Sequence, residues 1–136
     1  MHRTLLGKDP REVAAVFVGG GIGALARAGL GEALVTRPGA WPWATFTVNI
    51  VAAFVLGYAT TLLLERLPAS RFRRPFVGTG ICGGLSTFST MQVEIVRLFQ
   101  DGAWEIAVGY ALASIVLGLI VMQFASTLAR RIGSAW

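Results

Sequence analysis

The run Thr79-Gly80-Ile81-Cys82-Gly83-Gly84-Leu85-Ser86-Thr87-Phe88-Ser89-Thr90 holds three glycines and five hydroxyls within twelve residues. Such a run weakens a helix, because glycine costs backbone entropy and Ser and Thr side chains compete for backbone groups. In lipid, an interrupted helix survives only where its freed carbonyls and amides meet protein, water or ions. Two readings stand side by side. The interruption can offer carbonyls to a cation, as broken helices in transporters do, or Gly80, Gly83 and Gly84 can let helices pack closely. A second centre is Asn49, in Thr45-Phe46-Thr47-Val48-Asn49. Its amide offers two N–H donors to an anion, or a hydrogen bond to a neighbouring helix. Thr45 lies one turn earlier on the same face. Arg27, Gln92, Glu94, Tyr110 and Ser114 are further polar groups in apolar surroundings. Ionisable groups within spans normally face a bundle interior or a wet cavity and are functional by default.

The elements that must carry these groups are membrane spans. Of 136 residues, 54% are hydrophobic and 14% charged, whereas soluble domains carry about a quarter charged residues. The charges cluster, leaving apolar stretches at 13–26, 44–64, 75–93 and 106–129. A helix needs about 20 residues to cross the hydrocarbon core. The last three stretches meet that, and the first does so if Arg27 is tolerated near its end. The spacing predicts one all-α membrane domain over residues 1–136, with spans at about 13–34, 44–64, 75–99 and 106–129, the third of them broken. Trp41, Pro42 and Trp43 mark an interfacial loop, and Pro75 is a favourable first-turn residue. The basic start is not a convincing signal peptide, since a glycine-rich stretch follows it and merges into the first span. It is expected to be retained.

Four spans put both termini and the loop between spans 2 and 3 on one side. That side carries Arg3, Lys8, Arg11, Arg66, Arg71, Arg73, Arg74, Arg130 and Arg131, against Arg27, Arg37 and Arg97 on the other. The positive-inside bias places both termini in the cytoplasm. The net charge of +5 points to anionic lipid rather than nucleic acid, because the basic residues sit in short loops beside spans. A four-span protomer has few places to hide its intramembrane polar groups, so self-association is expected.

These motifs carry a resemblance. The chain resembles the Fluc/CrcB family of fluoride channels over nearly its whole length. The matching residues are Gly20-Gly21-Ile22-Gly23 with Arg27, then Asn49, the run from Thr79 to Thr90 with Glu94, and Tyr110 with Ser114. The resemblance implies a fluoride-selective channel in the cell membrane, giving passive fluoride efflux and protection from fluoride toxicity. It implies an antiparallel dimer with two narrow pathways along the subunit interface. It also implies a central structural Na+ held by backbone carbonyls, by position those of Gly83 and Ser86. Asn49 matches the pore asparagine and Phe88 the first phenylalanine of an aromatic box. Thr87, Ser89 and Thr90 match a hydroxyl track beside that box. Tyr110 and Ser114 match polar pore-lining positions, and Arg27 and Glu94 match charges near the pore mouths. Fluoride is small and strongly hydrated, so donors must replace its water. Amide and hydroxyl hydrogens and the positive edge of an aromatic ring can do so.

Two features depart from the family pattern. The second phenylalanine of the box is replaced by Met91, which is polarisable but has no aromatic edge. The strong charge bias suggests one insertion orientation, so both a homodimer and a heterodimer with an oppositely oriented paralogue stay open. A small four-helix multidrug-type transporter needs a membrane-embedded carboxylate, and Glu94, late in span 3, fits that role poorly. A non-conducting partner subunit is the third alternative. No enzyme is expected: His2 is the only histidine, and no cluster suits a metal or a nucleophile. Gly21-Ile22-Gly23-Ala24-Leu25-Ala26 resembles a dinucleotide fingerprint but lies inside a span without the strand and acidic residue that motif requires.

Overall fold

The computed structural model describes residues 9–68 and 70–133, which are helical with short connections. Arg3, Lys8 and His2 lie outside the described residues, as does the side chain of Arg66. Helix α1 is Pro10–Ala33 and α2 is Trp43–Thr61, continued by a π-helical turn, Leu62–Arg66. Helix α3 is the π-helical Pro75–Cys82 running into the α-helical Gly83–Leu85. Helix α4 is Phe88–Gln100 and α5 is Trp104–Gly133. Pro10–Ala33, Trp43–Glu65 and Trp104–Gly133 are each long and apolar enough to cross a membrane. Helices α3 and α4 are individually too short.

The helices overrun the apolar stretches because polar residues form the outer turns. Helix α1 begins at Pro10, whose missing N–H costs nothing there, and Asp9 accepts a capping bond from the Arg11 N–H at 3.0 Å. Glycine sets the two tight turns. Gly39 (φ 72°) follows Pro38 in the turn before α2, and Gly102 (φ 75°) ends α4. In the second turn the N–H of Ala103 reaches the Leu98 carbonyl at 2.8 Å and that of Gly102 reaches Phe99 at 3.1 Å, a Schellman-type closure.

Close approach of backbones decides the packing of α1 on α3. A Cβ on Gly19 would sit 2.3 Å from the Phe76 carbonyl oxygen, and one on Gly84 2.3 Å from that of Gly20. Gly23 is equally tight against Ile81. Gly19/Gly23 and Gly80/Gly84 thus form facing small-xxx-small pairs, which let membrane helices touch at the backbone. The two roles weighed for the glycine run divide by position: Gly80 and Gly84 pack, whereas a Cβ on Gly83 would meet nothing within 4 Å.

Residue contacts also fix directions. Positions advance together from Gly19 on Phe76 to Gly23 on Leu85, so α1 and α3 run parallel. Phe46 meets Tyr110, Gly57 meets Met122 and Glu65 meets Arg130, so α2 and α5 run parallel as well. The short connections then gather the start of α1, the end of α2, the start of α3 and the end of α5 at one end. There Arg71 pairs with Glu12 at 2.5 Å and Asp9 at 3.5 Å, and Arg130 pairs with Glu65 at 3.1 Å. Glu12 and Asp9 both favour the charged guanidinium of Arg71 and raise its pKa.

The interior is small. One cluster joins Met91, Leu98, Ala107 and Tyr110, and another joins Val48, Ala52 and Leu85. Trp41 meets Phe46 and Tyr110 edge to face at centroid distances of 5.4 and 5.6 Å. Most other large apolar side chains point outward, among them Phe17, Leu25, Leu112 and Phe124. A solvated protein could not hold such a surface; lipid or a partner must cover it.

Candidate functional site

The site is organised by the interruption between α3 and α4. Ser86 (ψ 149°) and Thr87 (φ −146°, ψ 105°) are extended, so the chain leaves one helix and starts another in two residues. Asn49 on α2 clamps this point. The Thr87 N–H donates to Asn49 Oδ1 at 2.8 Å, and Asn49 Nδ2 donates to the Thr87 carbonyl at 3.3 Å. Thr87 caps α4, its Oγ1 accepting from the Thr90 N–H at 3.2 Å and donating to Thr90 Oγ1 at 2.9 Å. Ser89 Oγ lies 3.5 Å from the same hydroxyl.

These bonds divert two backbone donors. In a continuous helix the Thr87 N–H would serve the Gly83 carbonyl and the Thr90 N–H the Ser86 carbonyl. Here they serve Asn49 and the Thr87 hydroxyl instead. The carbonyls of Gly83 and Ser86 therefore lose their fourth-residue partners together. The Ser86 hydroxyl turns back to the Cys82 carbonyl at 2.8 Å, so it does not replace either donor. Asn49 makes the interhelical bond that was one of its two readings and retains one Nδ2 hydrogen beyond it.

Two grooves flank the clamp. The first, about 570 Å³, is lined by Asn49, Gly83, Ser86, Phe88, Met91 and Ser114 among others. Phe88 is 71% exposed on this face, while Met91 is buried in the cluster with Tyr110. Ser114 Oγ is buried and has no hydrogen-bond partner among the described residues. A buried hydroxyl without a partner is costly unless a water or an ion completes it. The second groove, about 320 Å³, is lined by Arg27, Thr45, Thr87 and Thr90. Arg27 forms no ion pair among the described residues.

Glu94 is engaged elsewhere. Its carboxylate accepts from Thr45 Oγ1 at 2.7 Å and from the Tyr110 hydroxyl at 2.8 Å. The three groups come from α4, α2 and α5, which explains how a half-buried carboxylate is satisfied. Thr45 gains its role only through this contact with Glu94. Its position one turn before Asn49 was the available signal, but only the fold brings Glu94 to it. Asn49, Gly83, Ser86, Phe88 and Ser114 thus share one groove; Arg27, Thr87 and Thr90 share the other; Ser89 and Thr90 are exposed beside the cap; and Tyr110 and Glu94 form a third contact.

Residues 14–126 match the family described as CrcB-like protein, Camphor Resistance (CrcB). A protein of Mycobacterium bovis named fluoride-specific ion channel FluC 1 is 56% identical over 124 residues, covering 91% of this chain and 94% of the relative. A Nocardia farcinica protein, fluoride-specific ion channel FluC 2, is 42% identical over 90% of this chain and 93% of its own length. Fluoride-specific ion channel FluC of Pyrococcus furiosus is 42% identical over 90% of this chain and 99% of its own.

Proposed function

The chain belongs to the CrcB family, and on that premise we propose that it is a fluoride-selective ion channel of the cell membrane that lets fluoride leave passively. HF is neutral, crosses bilayers and dissociates inside, so a passive path for the trapped anion suffices to protect the cell. The observation that carries the reading is the groove beside the clamped helix interruption. It combines the spare Asn49 N–H, the unpartnered Ser114 hydroxyl and the exposed Phe88 ring. Several weak donors in series suit conduction, which needs an ion to bind well enough to enter and loosely enough to leave. The hydroxyls of Ser89 and Thr90 extend the donors along α4, and Arg27 supplies a fixed positive charge to the neighbouring groove.

In this reading α3 and α4 together make a fourth crossing, broken at Ser86–Thr87, and both termini face the cytoplasm. Two protomers pair antiparallel through the outward-facing groove, either as a homodimer or with an oppositely oriented paralogue. The carbonyls of Gly83 and Ser86 fit a Na+ site, because the bonds to Asn49 and Thr87 take away their helical donors. Such a cation, when bound, would offset the cost of anions in a low-dielectric region. A multidrug-type transporter would need a carboxylate open to a cationic substrate, and Glu94 is held by two hydroxyl donors instead.

The test is to purify the protein expressed alone, reconstitute it in liposomes and follow fluoride and chloride efflux with ion-selective electrodes. Rapid fluoride efflux with little chloride efflux is expected. Silence from well-folded protein would overturn self-sufficient conduction and turn attention to an obligate partner, tested by co-expression.

A further inference from the structure

A third groove, about 490 Å³, runs between the end of α2 and the start of α3. It shares Leu56 and Gly78 with the Asn49 groove, so the two adjoin. It leads to the basic end of the bundle, where Arg74 lines it. Its walls are mostly apolar, but Thr60 and Thr79 also line it, and both are exposed. Hydroxyls in membrane helices commonly bond the carbonyl four residues back. Ser86, Ser126 and Thr127 do so here. No such bond ties Thr60 or Thr79 among the described residues, which leaves their hydroxyl hydrogens for another acceptor.

The arginines at this end are not equivalent. Arg71 is occupied by Glu12 and Asp9, and Arg130 by Glu65. Arg74 has no carboxylate partner among the described residues, and it faces the groove. Arg73, its neighbour, is exposed but does not line the groove. A guanidinium without a carboxylate partner at the mouth of a groove with apolar walls raises the local concentration of anions. The two hydroxyls further in can take the anion over with neutral donors.

We propose that Arg74, with the hydroxyls of Thr60 and Thr79, forms an anion-binding leg at the basic end that continues the Asn49 groove and collects fluoride there. The inference rests on the channel reading given above and adds a residue set and an end to it. The occupant it commits to is fluoride; an anionic lipid headgroup on Arg74 is the competing outcome.

The experiment compares initial fluoride efflux from liposomes of neutral lipid for the wild-type protein, Arg74→Gln, Arg74→Lys, Thr79→Val and Arg73→Gln, at low and at high ionic strength. Size-exclusion elution in detergent checks that each variant is folded. Arg74→Gln should slow efflux roughly three- to tenfold at low ionic strength, and the deficit should shrink in high salt as the charge is screened. Arg74→Lys should restore most of the rate. Thr79→Val should slow efflux at both salt concentrations, because it removes a donor and not a charge. Arg73→Gln should match the wild type. Folded Arg74→Gln and Thr79→Val that both conduct like a conducting wild type would overturn the inference and leave the channel reading intact. Equal slowing by Arg73→Gln and Arg74→Gln would overturn it in favour of a diffuse surface charge. A slowing by Arg74→Gln that appears in liposomes containing anionic lipid but is absent in neutral lipid would overturn it in favour of the headgroup. A folded but silent wild type would overturn the channel reading and this inference with it.

Discussion

At the scale of single residues, Asn49 has the most demanding position. It holds both backbone groups of Thr87 and still faces the groove. Asn49→Leu is expected to cost about 1–3 kcal/mol, because two half-buried backbone groups lose their partner. It should also lower fluoride efflux by roughly tenfold or more, on the scale of about 1.4 kcal/mol per tenfold. Thermal unfolding in detergent and liposome efflux measure the two effects. Met91 poses the opposite problem. It is 7% exposed and packed with Leu98, Ala107 and Tyr110. Met91→Phe restores the aromatic edge of the family pattern and is expected to raise fluoride efflux. Overpacking should cost about 1–3 kcal/mol of stability. Unchanged efflux in a folded protein would remove this position from the pathway.

At the scale of elements, the contact of α1 with α3 sets the geometry. Gly84→Ala drives a methyl group into the Gly20 carbonyl and Gly23→Ala drives one into that of Ile81. Both obstacles are backbone, so the helices must separate. Each substitution should cost about 1–3 kcal/mol or more, read as a lower unfolding temperature in detergent. Gly83→Ala is the internal control for folding. Its Cβ meets nothing within 4 Å, and alanine is the better helix former, so its unfolding temperature should be unchanged or higher. A similar loss from Gly83→Ala and Gly84→Ala would mean that helix propensity, not close packing, governs this run. The Glu94 triad ties α4 to α2 and α5 in the same sense, through Thr45 and Tyr110. Thr45→Val leaves the carboxylate one donor short and should loosen the start of α2 from α4.

At the scale of the whole molecule, the outward-facing apolar surface and the thin interior require more than one protomer or extensive lipid contact. The charge distribution bears on which pairing arises. Arg11, Arg71, Arg73, Arg74, Arg130 and Arg131 belong to the end where α1 starts and α5 finishes, against Arg27, Arg37 and Arg97 in the rest of the bundle. Tags on both termini of the singly expressed protein should therefore be accessible from the cytoplasmic side in most molecules. Equal accessibility from both sides would establish dual insertion and make the homodimer the natural assembly. A single orientation would call for an oppositely oriented paralogue. The ion pairs Arg71–Glu12 and Arg130–Glu65 are exposed and screened by salt, so they fasten the ends of helices without deciding the fold.

Much of this was legible in the residues alone. The apolar stretches located the helices but not their ends, which run up to seven residues further because polar residues form the outer turns. The glycine and hydroxyl run located the interruption, because such residues weaken a helix wherever they fall. The residues from Asn49 to Ser114 named the polar groups. What the residues could not decide was the division of labour among them. Whether a glycine packs or lies open depends on which backbone passes beside it, and only the parallel docking of α1 on α3 separates Gly84 from Gly83. Glu94 gained Thr45 and Tyr110 rather than Arg27 because three helices converge there. The release of the Gly83 and Ser86 carbonyls followed from two hydrogen bonds that cross or cap the interruption. A local pattern records which groups are available, whereas their partners lie tens of residues away and are chosen by the packing.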